Sequence, residues 1–478
     1  MSSSQATSSS ADMPEKQAAA AQPAGEGQAV LPGFFSPFVA NERKAALKLI
    51  AKSEVLLIAI ILGILSIYWG ALHSVLPNIP ALTIGLIDLD DGEIGQSMTT
   101  WFRGAREGDA WVATKVEEGS LEGLVPLGYT LPGTCGWDHS YSSYEEVVKS
   151  VRHEDMWVAI VAMPGASANM NAVYDGTLAP EDYLPSGAIR VVYQEARNAI
   201  AVDELLIPFL IPTLRAFTES FAQNKTASLA QSLTTTTDLV RALQLPIPAS
   251  YALENLNPYL PVQGSAATEI GLIYLIILAF FSVLFFGQMH MTFAGKLRPV
   301  SYWVYRMTIP IVSYFFLSLF YAVLSRAWEI HLETHGGRGG FVVYWMLAWV
   351  GMTALGVAIE NINNFFGPPW TPTFLIFWVI SNVSTGFLPI ELLSNFYRWG
   401  IAWPFFHIVK ASNHLIFGTK DELGLNFGVL IAWAVLNYAI LPVSIGVELR
   451  RFGMRVDANK KEMMVRLGQP VPEKQEQA

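Results

Sequence analysis

The chain has 478 residues, of which 52 % are hydrophobic and 12 % aromatic against only 15 % charged. Soluble globular proteins carry about 25 % charged residues, so this composition, with a mean hydropathy of +0.35, is that of a membrane protein. A formal net charge of −10 and the lack of a basic run interleaved with aromatics exclude nucleic acid as a partner, and one cysteine, Cys135, excludes an intramolecular disulfide.

Met1–Gly33 is rich in Ser, Ala, Gln and Pro and has little to bury, so residues 1–52 read as a disordered cytoplasmic tail. The tail has no apolar h-region, so it is not a secretory signal peptide, and the first span acts as an uncleaved signal anchor. That span (53–76) contains Val55–Leu76, which has no Asp, Glu, Lys or Arg. About 20 apolar residues suffice to cross a hydrocarbon core of roughly 30 Å.

Residues 77–269 follow as one polar domain. Runs rich in β-branched residues predict strands at Ala81–Leu89, Ala110–Val116, Trp157–Met163 and Ala188–Gln194. Helices are expected at Glu93–Gly104 and Tyr144–Arg152. A long helical stretch, Ala199–Leu243, is expected to break at Pro208 and Pro212 and to weaken at Thr234–Thr237. Alternating strands and helices point to an α/β layer with a mainly parallel sheet. Asn224-Lys225-Thr226 is a glycosylation sequon, which makes Asn224 a candidate modification site if the domain faces outward. Asn382-Val383-Ser384 matches the same pattern inside an apolar segment, which shows how weak the triplet is.

Ile270–Gly287, Met307–Ser325, Phe341–Ile359, Thr371–Ile390 and Leu425–Val447 are five further apolar spans within residues 270–450, and a cytoplasmic tail (451–478) follows. Tryptophans such as Trp69, Trp303, Trp370 and Trp399 sit near span ends, as an interfacial belt requires. Arg43, Lys44, Lys48 and Lys52 precede the first span. Lys296, Arg298 and Arg306 lie between the second and third, and Arg450, Arg451 and Arg455 follow the sixth. The positive-inside rule puts all three groups, and both tails, in the cytoplasm. The expected fold is therefore an α-helical polytopic membrane protein of six transmembrane helices with a large extracytoplasmic α/β domain between helices 1 and 2.

Ile84–Gly92 (IGLIDLDDG) and Glu154–Met170 (EDMWVAIVAMPGASANM) resemble the strand-then-turn elements of the membrane subunits of type-2 ABC exporters and of the related phage-infection-protein family. Ser381–Trp433, with Phe396-Tyr397-Arg398-Trp399-Gly400, Ile416-Phe417-Gly418 and Leu423-Gly424-Leu425-Asn426, resembles the signature region of fungal nitrosoguanidine-resistance proteins. The likeness runs from Leu47 to Arg451. It implies a plasma-membrane protein that confers resistance to toxic compounds by handling amphipathic drugs or lipids. It also implies membrane lipids as partners, together with a homodimer and a separate ATPase or lipid-transport protein.

The chain itself has no G-x-x-x-x-G-K-[ST] loop, so it does not burn ATP alone. No G-x-S-x-G elbow exists and Cys135 has no nucleophile context, so no catalytic residue, cofactor or metal is assigned and an enzyme is not expected. His331 and His335 have an i, i+4 spacing that could grip zinc, but a polar outer loop is the default reading. Asp88, Asp90 and Asp91 lack the calcium-loop spacing and read as turn and capping residues. Glu269, His290, Glu360 and Glu391 lie near span ends, where reaching the interface suffices. The alternative is a polar pathway in which Glu360, Asn361, Asn363 and Asn364 form a pocket at the cytoplasmic mouth. Glu391 and Arg398 would then pair across an outer re-entrant segment at 390–414, whose prolines break regular helix.

Overall fold

The computed structural model describes residues 37, 40–107, 141–232, 245–332, 337–368, 370–467 and 469. The strand expected at Ala110–Val116, Cys135, Thr234–Thr237 and the Glu333–His335 half of the two-histidine motif lie outside them.

A first unit ends at Ala59, and its described part is essentially helix α1 (Ala40–Ile60). The helix opens twelve residues before the end of the tail expected to be disordered through Lys52. Its first turns, ANERKAALK, are built from strong helix formers, so the polar composition does not prevent helix here.

The second unit, Ile60–Ala478, continues with a π-helical turn (Ile61–Leu65) and α2 (Ser66–His73), then enters a sheet domain. Its strands β1 (Ile84–Asp88), β2 (Val158–Ala162), β3 (Ile189–Tyr193) and β4 (Tyr251–Asn255) stand in the order β1-β2-β3-β4. β1 pairs with β2 in parallel, Ile84 opposite Val158, and β3 pairs with β4 in parallel, Ile189 opposite Tyr251. The join between the two halves, β2 with β3, is antiparallel, so the sheet is mixed. β4 carries no continuous apolar run, which is why the sequence pattern misses it.

Helices α3 (Glu93–Glu107), α4 (Tyr144–Arg152) and α5 (Ala166–Asp175) cover the sheet. Ile160 and Ile189 pack on one face with Met98 and Met170, while Val161 and Val192 pack on the other with Val147 and Val151. All five β2 residues are buried, as expected for a strand covered on both faces. The three aspartates behave as turn residues. Asp88 Oδ1 accepts the amides of Asp90 and Asp91 at 3.0 and 2.9 Å, and Asp90 Oδ1 accepts the Ser167 amide at 2.9 Å in the first turn of α5.

The long helix behind the sheet is not broken at its prolines. A π-helical stretch, Ile200–Leu206, runs into α6 (Ile207–Ser232), which continues through Pro212. Pro208 falls in the first turn, where a missing amide donor costs little, and the wider π winding before it absorbs the misfit.

The remaining chain is helical: α7 (Ile270–Phe293), α8 (Pro299–Ala327), α9 (Gly340–Phe366), α10 (Thr371–Gly386), α11 (Pro404–Phe417), α12 (Leu423–Arg451) and α13 (Gly453–Arg466). α9 is the hub, packed against α7, α8, α11 and α12. Gly356 lets it approach α8: a Cβ there would stand 2.5 Å from the Tyr314 hydroxyl. Among the described residues, five helices are long and apolar enough to cross a membrane: Arg43–His73, Val262–Phe293, Pro299–Ala327, Gly337–Phe366 and Leu423–Arg451. Outward apolar side chains such as Phe285, Phe320 and Val435 give them lipid-compatible faces.

The fifth expected span differs. α10 has 16 residues, about 24 Å at 1.5 Å per residue, short of the roughly 30 Å core. Two 3-10 turns, Ile390–Leu392 and Asn395–Ala402, lead from it into α11. Asn382 ties this pair together. Its carboxamide donates to the Trp378 carbonyl at 2.8 Å and accepts the Phe405 amide at the start of α11 at 3.1 Å. Fully buried, Asn382 is a packing residue whose sequon match is fortuitous.

Candidate functional site: a buried charge cluster and an outer cleft

Three apolar helices converge on Arg306 of α8, which is 1 % exposed. Its Nη1 donates to Glu448 of α12 at 2.6 Å and to the Tyr302 hydroxyl at 3.2 Å, and its Nη2 donates to Glu360 and Asn364 of α9 at 3.0 Å each. A polar relay continues from there. The Asn364 carboxamide donates to Ser444 Oγ, Ser444 Oγ to Asn361, and Asn361 to the Asn437 carbonyl, at 3.1, 2.8 and 2.9 Å. One guanidinium therefore faces two carboxylates, all three side chains being 5 % exposed or less. With every group ionised, one negative charge is left over. Arg306 Nε finds no partner. The cavity beside it, walled by His290, Pro310 and Tyr314, offers about 10 Å3, which is space for a single water.

Three of the residues read as a polar pathway, Glu360, Asn361 and Asn364, thus meet in one cluster. Asn363 does not join them: half-buried, it accepts the Thr371 hydroxyl at 2.9 Å. Glu360 does not reach for the interface, because protein surrounds it. Arg306 is not a loop cation either but the centre of the cluster, about two helical turns past the start of α8 at Pro299. Glu448 escapes sequence reasoning because it adjoins the basic pair Arg450-Arg451 and passes for a span-end residue. The signal that could have found both is the need of Glu360 for a counter-ion at the same depth. His290 is likewise buried, its Nδ1 2.9 Å from the Tyr305 hydroxyl.

Glu391 and Arg398 do not pair. Arg398 is exposed, and Glu391 stands 3.6 Å from Arg197 of the sheet domain. Arg197 lies flat over Trp157, 3.6 Å from the ring centroid, and is 3.8 Å from Glu154. Burial pushes its guanidinium below the ordinary value, opposed by Glu154 and Glu391, yet an arginine remains charged. Glu391 therefore bridges to the sheet domain and forms one wall of a cleft of about 80 Å3 between that domain and the α10–α11 hairpin. Asn224 is exposed on α6, and His331 is exposed just after α8. Among the described residues no group of three or more His, Cys, Asp or Glu is placed to hold a metal ion.

The chain is similar to a Saccharomyces cerevisiae protein described as an uncharacterized endoplasmic reticulum membrane protein. The two are 26 % identical over 453 residues, covering 86 % of this chain and 82 % of the relative. No solved structure matches it. A family model described as a protein of unknown function (DUF3533) matches residues 53–439, most of the chain, and the chain belongs to that family of membrane proteins.

Proposed function

We propose that this is a six-span protein that moves amphipathic toxicants or lipids across the bilayer, or between its leaflets, without an ATPase of its own. α10 serves as the short fifth crossing, α11 as the re-entrant arm behind it, and the sheet domain faces the lumen or exterior. In this orientation the Arg306 cluster lies at the cytoplasmic end of the bundle and the Glu391 cleft at the opposite end. The observation that carries the reading is the cluster itself. Each charge held among apolar spans costs a few kcal/mol, and well-packed apolar side chains could fill the same space at no loss of stability. The relative's description favours the endoplasmic reticulum membrane over the plasma membrane. A second copy of the chain is read as completing the path, and a separate ATPase or lipid-transport protein as supplying the energy.

The test is reconstitution in liposomes carrying a fluorescent phospholipid and an amphipathic dye. Wild type should speed redistribution, alone or with an added partner, and Glu360→Gln with Glu448→Gln should slow it about tenfold. No acceleration under any condition sinks the reading. The rival is a non-transporting regulator of lipid-asymmetry or efflux machinery, favoured by the tight hydrogen bonding of the cluster and its room for one water. Under it, Glu360→Gln is tolerated, and deletion changes drug sensitivity only where that machinery is present.

A further inference from the structure

The cleft between the α10–α11 hairpin and the sheet domain differs in kind from the Arg306 cluster. Its ion pairs are open. Arg197 to Glu154 and Glu391, and Lys410 to Glu154, span 3.8, 3.6 and 3.5 Å, against 2.6 and 3.0 Å around Arg306. These pairs are longer and looser than those around Arg306, with Lys410 to Glu154 at the limit of a hydrogen bond, so the charged groups of a ligand can compete for them. At the rim Glu422 stands 3.7 Å from Lys410 and 3.0 Å from Lys420. Three positive groups thus alternate with three negative ones. The Asn413 carboxamide oxygen, buried in the wall, has no partner. Beside the charges run Phe406, Val409 and Leu388, so the cleft is half ionic and half apolar.

Glu154 is one of the non-glycine residues with a left-handed backbone. It follows α4 with φ +63°, and the bonds Glu154 N–H to Val151 O and Asp155 N–H to Ser150 O, both 3.1 Å, make it the left-handed residue of a Schellman turn. Glycine is the usual occupant of that site, because a side chain there is strained. Here a glutamate takes it and reaches into the cleft.

We propose that this cleft binds the zwitterionic headgroup of a phospholipid. The phosphate lies between Lys410 and Lys420, and the ammonium lies against Glu391 and Glu154. Arg197, pinned on Trp157, is the positioning residue that keeps the two carboxylates apart. A space of about 80 Å3 holds a small polar headgroup and not a whole amphiphile, so the acyl chains must leave along the apolar wall. Trp399 and Trp403 of the hairpin pack in turn on Trp433 of α12, with ring centroids 4.9 and 5.6 Å apart, so aromatic surface adjoins the hairpin. Balanced charges suit a zwitterion; a purely anionic group would draw Lys410 and Lys420 away from Glu422 and bring no positive charge to replace them.

The inference rests on the proposed function and names its substrate class, and binding can be measured apart from transport. Full-length protein in detergent is titrated, by native mass spectrometry, with short-chain phosphatidylethanolamine, short-chain phosphatidylglycerol and tailless glycerophosphoethanolamine. Phosphatidylethanolamine should bind at least tenfold more tightly than either of the others. Lys410→Gln with Lys420→Gln should weaken it at least tenfold, and Glu391→Gln should narrow its advantage over phosphatidylglycerol. These side chains are more than one-third exposed, and variants are scored only if they melt like wild type; Lys420→Gln alone, with a several-fold loss, serves where the double variant does not fold. Equal binding of the two lipids, or unchanged binding by folded variants, overturns the headgroup site. Equal binding of the tailless compound overturns the lipid assignment in favour of a soluble phosphate ester. Specific binding without redistribution in liposomes leaves this site standing and removes the transport reading alone.

Discussion

Arg306 shows how one side chain can set the properties of a bundle. Removing the guanidinium alone leaves Glu360 and Glu448 facing each other in an apolar interior, and breaking a buried pair in this way costs about 3–5 kcal/mol. Arg306→Met should therefore lower the melting temperature in detergent sharply, whereas a triple replacement by Met at 306 and Leu at 360 and 448 should come close to wild type. Glu448→Gln removes the surplus negative charge and should be the mildest single change at the cluster. In the sheet domain, Glu254 of β4 accepts the Tyr144 hydroxyl and Arg190 Nη1, both at 2.6 Å. The Tyr144 hydrogen bond holds the carboxyl below its usual range against the effect of burial, with Arg190 assisting. A lowered folded-state value means that the stabilisation is present above the ordinary carboxylate range and is lost as pH falls through the lowered value. Glu254→Gln should lower the melting temperature at pH 7 and flatten the acid limb of a melting curve recorded below about pH 4.5. The groups are partly exposed, so the effect is small.

At the scale of elements, α9 is the piece on which the others lean. Its Gly351 and Gly356 face Ile408 of α11 and Tyr314 of α8 with no space for a methyl group, a Cβ at Gly351 falling 2.6 Å from Ile408. Gly356→Ala should force α8 outward and cost about 1–3 kcal/mol, read as a loss of resistance to thermal unfolding, and Gly351→Ala should do the same for the α9–α11 contact. A control at Gly446 of α12, where nothing stands within 4 Å of an added Cβ, should be neutral or slightly stabilising. α10 and α11 illustrate a different rule. Neither is long enough to be independent of protein partners, and Asn382 and the tryptophans between them provide the satisfaction of polar groups that lipid cannot.

The whole molecule makes a claim about sidedness. Under the proposed orientation, which puts the sheet domain in the lumen, Asn224, exposed on α6, would be accessible to the glycosylation machinery. Endoglycosidase treatment should increase the gel mobility of wild-type protein from a eukaryotic host, and Asn224→Gln should abolish the change. Protease added to sealed microsomes should trim both tails and spare the domain; cleavage within residues 141–232 from the cytosolic face would reverse the orientation.

Membrane residence, the polar insert and most of its strands were legible in the chain, because hydropathy and period-2 patterns are local and survive any packing. Tyr144–Arg152 is a helix with those very ends, and β1, β2 and β3 fall inside their expected runs. The antiparallel join in the sheet was not legible, since β2 and β3 read alike whichever way they run, and β4 is too polar to announce itself. Nor did one-dimensional spacing reveal that Arg306, Glu360 and Glu448 meet, being 54 and 142 residues from the arginine along the chain, or that Glu391 turns to Arg197 rather than Arg398. Solvent partition is decided residue by residue, and so the sequence alone determined that this protein lives in a bilayer. Which charges neutralise one another depends on which helices lie side by side, and only the tertiary structure decided that.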